Sequence, residues 1–221
     1  KLWNYNLNYF DFLLSNQVSN QNGLPEKLVN SWIDKNINFL RSAWDPYPIS
    51  LRTVNWIKWL VYFDLDPPEK IKNNLILQAD YLYKNLEYHL GGNHLISNAK
   101  ALIFLGILFS GKKARIWYEK GIELLKSQLD IQILQDGSHY ELSPMYHSII
   151  LEDLLDIKNI HQDEFNAMCD NEDTDFYIKH KEIETYVYFY NKPKLFGKKE
   201  LKSVFRFIYG QPAKSIINLF G

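Results

Sequence analysis

Residues 94–110 limit the possible fold more than any other segment, because they are apolar nearly all round when wound as a helix. Their large side chains fall on every helical face: Leu95, Ile96, Ala99, Leu102, Ile103, Leu105, Ile107, Leu108 and Phe109. A helix without a polar face must lie inside a protein, so other helices are expected to surround this one.

The next segment, 112–134, differs because it has one apolar stripe opposite a charged face. The stripe consists of Ile116, Trp117, Ile122, Leu124 and Leu125. This pattern predicts a helix that packs its apolar stripe on the core and exposes its charged face to solvent. An inner helix beside an outer helix is the alternation that a two-layer helical ring requires.

Helical periodicity continues from the start of the chain to about residue 157, with almost no strand-like alternation. Ser50 is a candidate N-cap, Pro67-Pro68 opens a helix, and Gly111 can end one. Connections of a few residues force neighbouring helices to pack antiparallel, as in a bundle, an α-solenoid or an α/α toroid. The predicted helices are 4–14, 26–43, 51–64, 69–89, 94–110, 112–134 and 144–157.

The composition changes after about residue 158. Acidic side chains predominate in 152–184 and basic ones in 192–214, Tyr186–Tyr190 is β-prone, and 201–221 suggests short amphipathic helices. We therefore predict a helical domain over 1–157 and an acidic connector with a basic, divergent appendage over 158–221.

Charge and cysteine content exclude several classes of protein. The net charge of -1 gives no electrostatic reason to expect nucleic acid as a partner, and the longest apolar runs are too short to span a membrane. The single cysteine, Cys169, excludes an internal disulfide. Oligomeric state stays open, and the compartment would be periplasmic or extracellular if a signal peptide was removed, otherwise cytoplasmic.

The start of the buried helix carries the most unusual polar stretch, Gly91-Gly92-Asn93-His94. Free N–H groups at a helix start suit an anion, and the two glycines allow a ligand to approach closely. In the simpler interpretation, Asn93 is an ordinary N-cap and His94 an incidental first-turn residue.

A second helix start lies in the stretch 136–147. Ser143 followed by Pro144 is a strong start signal, which places Tyr146 and His147 in the first turn. Alternatively, Tyr146 packs in the core with Ile149 and Ile150.

Two helix starts that face one cleft would suit β-elimination from a uronic acid. Asn93 and His94 would neutralise the carboxylate and acidify the C5 proton, while Tyr146 or a histidine would remove that proton and protonate the leaving oxygen. A glycosidase is an alternative and would use two of the carboxylates Asp136, Glu141, Glu152 and Asp153. His139 and His147 lack a third metal ligand at suitable spacing, and we predict neither a metal nor a cofactor.

Four stretches together resemble the α/α-toroid domain of heparinase II/III-like polysaccharide lyases, a family that includes alginate lyases. They are YNLNYFDFLL, the run from Tyr47 to Trp59, the run from Asn85 to His94, and DGSHYELSPMYH. The resemblance implies an all-α fold, an incomplete α/α toroid of antiparallel helical hairpins over 1–157, and an acidic polysaccharide as substrate.

The resemblance also implies roles for individual residues. Asn93 and His94 would neutralise the substrate carboxylate, and Tyr146 would be the catalytic acid and base. The predicted substrate-binding residues are Arg52, Asn55, Trp56, His139, Glu141 and His147. Family members usually add helices and a C-terminal β-sandwich that supplies further catalytic groups. Neither is recognisable here, so we expect little or no turnover from this chain alone, and a noncatalytic glycan-binding or polysaccharide-assembly protein derived from a lyase is a further alternative.

Overall fold

The computed structural model describes residues 2–15, 18, 23–36, 42–134 and 137–168. Seven α-helices and two 3-10 helices, Asp11–Leu14 and Ser42–Trp44, lie in these residues. The α-helices are α1 Leu2–Leu7, α2 Leu24–Lys35, α3 Pro46–Tyr62, α4 Glu69–Lys84, α5 Gly92–Leu108, α6 Lys112–Gln132 and α7 Pro144–Met168. In place of strands, the described part of the chain has one isolated antiparallel bridge between Ile133 and His139.

The chain divides into two compact units, Lys1–Leu125 and Lys126–Gly221. In the first unit, α3 packs along α5, and α4 packs against both. The connections between consecutive helices from α3 to α6 are short, so these helices form antiparallel hairpins.

The predicted inner helix is confirmed, because every residue of α5 from Leu95 to Leu105 is buried. Helix α6 approaches it closely through two glycines. A Cβ on Gly121 would lie 2.8 Å from Ile103 Cγ1, and one on Gly106 would lie 2.6 Å from Tyr118 Cβ. The apolar stripe predicted to face the core from α6 is confirmed by the burial of Trp117, Ile122, Leu124 and Leu125. The prediction is wrong for Ile116, which is 38% exposed.

Several predicted helix ends are wrong. Helix α3 begins at Pro46 rather than after Ser50, since prolines fit the first turn, where backbone N–H groups have no partner within the helix. The predicted helix 4–14 breaks at Phe10, whose φ is 62°. Gly111 lies directly before α6, and its carbonyl accepts a hydrogen bond from the Arg115 N–H, so it begins a helix rather than ending one.

The end of the predicted helical domain at 157 falls inside α7, which continues to Met168. The predicted strand at 186–190 and the short helices of 201–221 lie outside the described residues. The division at 157/158 into domain and appendage stays a prediction. No helix in the described part of the chain is both long and apolar enough to cross a membrane.

Candidate functional site

Helix α5 begins with a backbone turn that only glycine adopts easily. Gly91 and Gly92 have φ values of 65° and 55°, in the left-handed region. The cap position is Gly91, and no side chain caps the helix. Asn93 therefore lies inside the first turn, so the simpler interpretation of Asn93 as an N-cap is wrong.

The Asn93 side chain is 9% exposed. Its side chain makes no capping hydrogen bond at the start of α5. The predicted contact of Asn93 with a substrate carboxylate stays a prediction.

The His94 ring is held on two sides. One face stacks on Tyr47 with ring centroids 4.3 Å apart, and Nδ1 lies 3.3 Å from Oε2 of Glu87. The side chain is 34% exposed, whereas that of Glu87 is 6% exposed. His94 is thus a fixed ring with part of its surface open to solvent.

Glu87 is itself held by Asn98, one helical turn after His94. The Glu87 backbone N–H donates to Asn98 Oδ1 at 3.1 Å, and Asn98 Nδ2 donates to Glu87 Oε2 at 3.3 Å. Asn98 Nδ2 also donates to Ser50 Oγ at 3.0 Å, and this hydroxyl donates to the Pro46 carbonyl. A buried polar chain therefore connects α3 to the start of α5.

His94 lines a cleft of about 500 Å³ in the first unit. Aromatic rings, two carboxylates and two imidazoles form its wall, which has neither lysine nor arginine among the described residues: Tyr5, Tyr9, Asp45, Pro46, Tyr47, Pro48, Glu87, His89, Leu90 and His94. Such a cleft has the flat, amphipathic surface that suits a sugar ring. With so little positive charge, it would recognise an anion through directed hydrogen bonds rather than through a cationic field.

Two of the lining tyrosines are neutral phenols at physiological pH. The hydrogen bond from Tyr5 to Asp45, with burial and the charge of Asp45, raises the pKa of Tyr5 to about 12. Burial, with the charges of Asp11 and Glu87, also raises the pKa of Tyr9. Neither phenol is suited to act as a general base at neutral pH.

Arg52 and Trp56, predicted to line a sugar groove, are both fully buried. Arg52 Nε donates to Gln78 Oε1 at 2.8 Å, and its guanidinium lies 3.9 Å from the ring centre of Trp32. The Trp56 ring packs edge-on against Phe10 and Trp32. Burial gives both residues a core role and leaves no surface for a sugar in this conformation, so their contact with substrate stays an untested prediction.

Asn55 is half-buried and supports the cleft indirectly. Its Nδ2 donates to the backbone carbonyl of Tyr9 at 2.9 Å, and Tyr9 lines the cleft. Arg52 makes a similar contact, since its guanidinium donates to the Asn8 carbonyl at 3.3 Å. Residues 52 and 55 therefore hold the backbone that carries Tyr9.

The second unit contains the start of α7. The helix begins at Pro144 as predicted, so Tyr146 and His147 lie in its first turn. Tyr146 is half-buried, with its ring centroid 6.5 Å from that of His139. Glu141 is exposed and can meet a ligand, while Asp136 lies outside the described residues.

His139 and His147 are buried, at 1% and 3% exposure. Nε2 of His139 lies 3.0 Å from Oε1 of Gln132, so it carries the proton, and Nδ1 has no hydrogen-bond partner among the described residues. Burial and the nearby His147 lower the pKa of His139 to about 4, and burial also lowers the pKa of His147. Both are neutral imidazoles at physiological pH, and their predicted contact with substrate stays a prediction.

Asn93 and His94 lie in the first unit, and Tyr146 lies in the second. A common cleft for the three side chains stays a prediction. Within the described ranges, no cluster of three or more His, Cys, Asp or Glu could hold a metal ion.

Sequence reasoning missed several of the residues that surround His94. Glu87 lies seven residues before His94 and Asn98 lies four residues after it. In the sequence, Glu87 resembles an ordinary surface charge and Asn98 an ordinary polar residue of a helix. Tyr47 lies beside two prolines in a segment that was not predicted to be helical. The missed signal was the spacing of four between His94 and Asn98, which places two polar side chains on one face of an otherwise apolar helix.

Comparison with known proteins identifies the family. The sequence model of the heparinase II/III N-terminus matches residues 9–194, more than half of the chain, and the chain belongs to this family. It is a polysaccharide lyase-related domain. The match extends beyond residue 157, into the segment predicted to be an appendage.

Two comparisons show how much of a relative this chain represents. A heparin-sulfate lyase of Bacteroides thetaiotaomicron is 29% identical over 191 residues, which cover 78% of this chain and 27% of the relative. A crystal structure of heparinase III matches with a TM-score of 0.52 and 29% identity, over 73% of this chain and 27% of that chain. The chain therefore spans about a quarter of the length of these proteins.

A second heparinase III structure matches with a TM-score of 0.56 and 19% identity, over 81% of this chain and 32% of that chain. At this identity the likeness shows the fold alone. These structural matches confirm the predicted fold class, all-α with the helical hairpins of an α/α toroid.

Proposed function

We propose that this domain cleaves a polysaccharide containing uronic acid by β-elimination. Membership of the heparinase II/III family supports the reaction class, and the name of the relative, heparin-sulfate lyase, supports an acidic polysaccharide as substrate. The observation that carries the proposal is at the start of α5. Neither Asn93 nor His94 caps the helix, although both side chains lie in its first turn.

In the proposed reaction, the Asn93 amide donates a hydrogen bond to the substrate carboxylate. The imidazolium form of His94 and the free N–H groups at the start of α5 add positive charge there. Neutralising the carboxylate stabilises the negative charge that develops when the C5 proton leaves. His94 can meet a ligand because its ring lines the cleft and is 34% exposed.

Tyr146 is the proposed acid and base. In its phenolate form, Tyr146 would take the C5 proton, and the phenol so formed would give that proton to the oxygen that leaves C4. The bond between C4 and that oxygen breaks as the C4–C5 double bond forms, and the phenolate is restored. Its ring is half-buried in the first turn of α7, so part of it is accessible. Glu141, which is exposed, would contact the sugar chain near Tyr146.

The supporting experiment follows the products from several uronate polymers, including heparan sulfate, at high protein concentration and over long incubation. Because little turnover is expected from this chain alone, we expect only a slow rise in ultraviolet absorbance from the 4,5-unsaturated product. Tyr146→Phe should abolish this rise, while its unfolding midpoint changes little because only the hydroxyl is removed. New reducing ends without the chromophore would indicate hydrolysis and contradict the proposal. Binding of the polymer without either product would favour a noncatalytic glycan-binding domain.

A further inference from the structure

The strongest unexplained feature is the buried carboxylate of Glu87 behind His94. At 6% exposure, this side chain has lost most of its contact with water, which is costly for a charged group unless partners replace the water. Its partners are specific: Oε2 is 3.3 Å from His94 Nδ1 and 3.3 Å from Asn98 Nδ2. One carboxylate oxygen of Glu87 therefore contacts both His94, which lines the cleft, and Asn98, which is buried.

The hydrogen bonds of Asn98 fix where that oxygen lies. The amide of Asn98 accepts from the Glu87 backbone and donates to the Glu87 side chain, so it holds the residue at two points. Asn98 is 0% exposed and Ser50 is 1% exposed, so neither contacts solvent or ligand. The carbonyl of Glu87 also accepts hydrogen bonds from the N–H groups of Leu90 and Gly91, which places it in the turn that leads into α5.

These contacts determine which nitrogen of His94 carries a proton. A carboxylate can only accept a hydrogen bond, so Nδ1 must be the donor to Glu87. The proton of the neutral imidazole then lies on Nδ1, and Nε2, to which no described residue hydrogen-bonds, has its lone pair available. In the imidazolium form, Nε2 becomes a donor while Glu87 supplies the opposite charge.

We propose that Glu87, held by Asn98 and Ser50, is a positioning residue that fixes the His94 ring with its proton on Nδ1 and reserves Nε2 for the ligand. Stacking on Tyr47 holds the plane of the ring, and Glu87 sets its rotation within that plane. This inference rests on the proposed function for its meaning, because the ligand of Nε2 would be the substrate. The arrangement of the ring is a property of the protein without substrate.

The test measures the tautomer of His94 directly. Long-range proton–nitrogen NMR spectra of the histidine-labelled chain distinguish the two neutral tautomers, and His94→Gln identifies the signal among the six histidines. We expect the Nδ1–H tautomer to predominate in the wild type, without any glycan. A predominant Nε2–H tautomer in the wild type would overturn the proposal, whatever the variants do.

Three variants separate a positioning role from a general effect of charge or packing. Glu87→Ala should make the Nε2–H tautomer predominate, as in free histidine, while Glu87→Gln should keep the Nδ1–H tautomer because its amide oxygen can still accept. Asp45→Asn is the matched control, since Asp45 lines the same cleft but contacts Tyr5, and it should leave the tautomer unchanged. An unchanged tautomer in a folded Glu87→Ala variant would contradict the role of Glu87.

This result is independent of the elimination assay. A wild-type Nδ1–H tautomer together with new reducing ends that lack the unsaturated chromophore would support the positioning role and contradict the lyase proposal. Unsaturated product together with a predominant Nε2–H tautomer would support the lyase proposal and contradict the positioning role.

Discussion

Asn93 shows how one residue can look like a cap in the sequence and be something else in the structure. Asparagine is a preferred N-cap, and it stands directly before an apolar helix. The two preceding glycines shift the helix start by adopting left-handed φ values, so the amide lies within the first turn and caps nothing. The side chain therefore does not cap the helix, and its contact with a ligand stays a proposal.

For Asn93→Ala, we expect a change in the free energy of unfolding within about 0.5 kcal/mol, because no cap is lost. Glycan binding should weaken, since the amide donor to the carboxylate is gone. Urea unfolding and binding titration of the same preparation measure both effects. A loss of roughly 0.5–2 kcal/mol in stability with unchanged binding would show that Asn93 is a cap after all.

His139 should make stability depend on pH. Its pKa of about 4 in the folded chain lies below the value of about 6.5 expected when unfolded. Between these values the unfolded chain binds more protons, so the free energy of unfolding falls as the pH falls, by roughly 2 kcal/mol from pH 7 to pH 5. The lowered pKa of His147 acts in the same direction.

Urea unfolding at both pH values checks this expectation, with His139→Gln as the variant that removes the titrating group and keeps an amide facing Gln132. The variant should lose a large part of the difference between pH 7 and pH 5. If wild type and variant respond equally to pH, His139 is not the group that carries the effect.

At the scale of helices, the contact of α5 with α6 depends on the absence of a side chain at two positions. Alanine is the better helix former by about 1 kcal/mol, so glycine at Gly121 is explained by space rather than by helix propensity. A Cβ there would lie 2.9 Å from the Ala99 carbonyl oxygen, which belongs to backbone and cannot turn away.

Gly121→Ala should therefore lower the free energy of unfolding by about 1–3 kcal/mol through overpacking. Ser127→Ala, at an exposed position of the same helix, is the matched control and should be neutral or slightly stabilising. Thermal and urea unfolding compare the two variants. Equal stability of both would mean that the helices do not approach as closely as described.

Across the whole molecule, sequence pattern predicted the all-α fold, the buried α5 and the start of α7, because periodicity and proline signals act locally. It missed the start of α3, where prolines stand inside the first turn, and the burial of Arg52 and Trp56. Those side chains pack against Gln78 and Trp32, residues distant in the sequence, and such contacts leave no local signal. Contacts without a local signal also explain why the roles of Glu87 and Tyr47 were not predicted. Asn93 and His94 were predicted because they form a motif at a helix start.

The central claim is that the start of α5 recognises a substrate carboxylate. Isothermal titration with a uronate-containing oligosaccharide and with its carboxyl-reduced analogue tests this directly, because the two ligands differ only at that group. We predict that the uronate ligand binds at least about tenfold more tightly, a difference of about 1.4 kcal/mol, and that Asn93→Ala reduces this preference. Equal affinity for both ligands in the wild type would contradict the account.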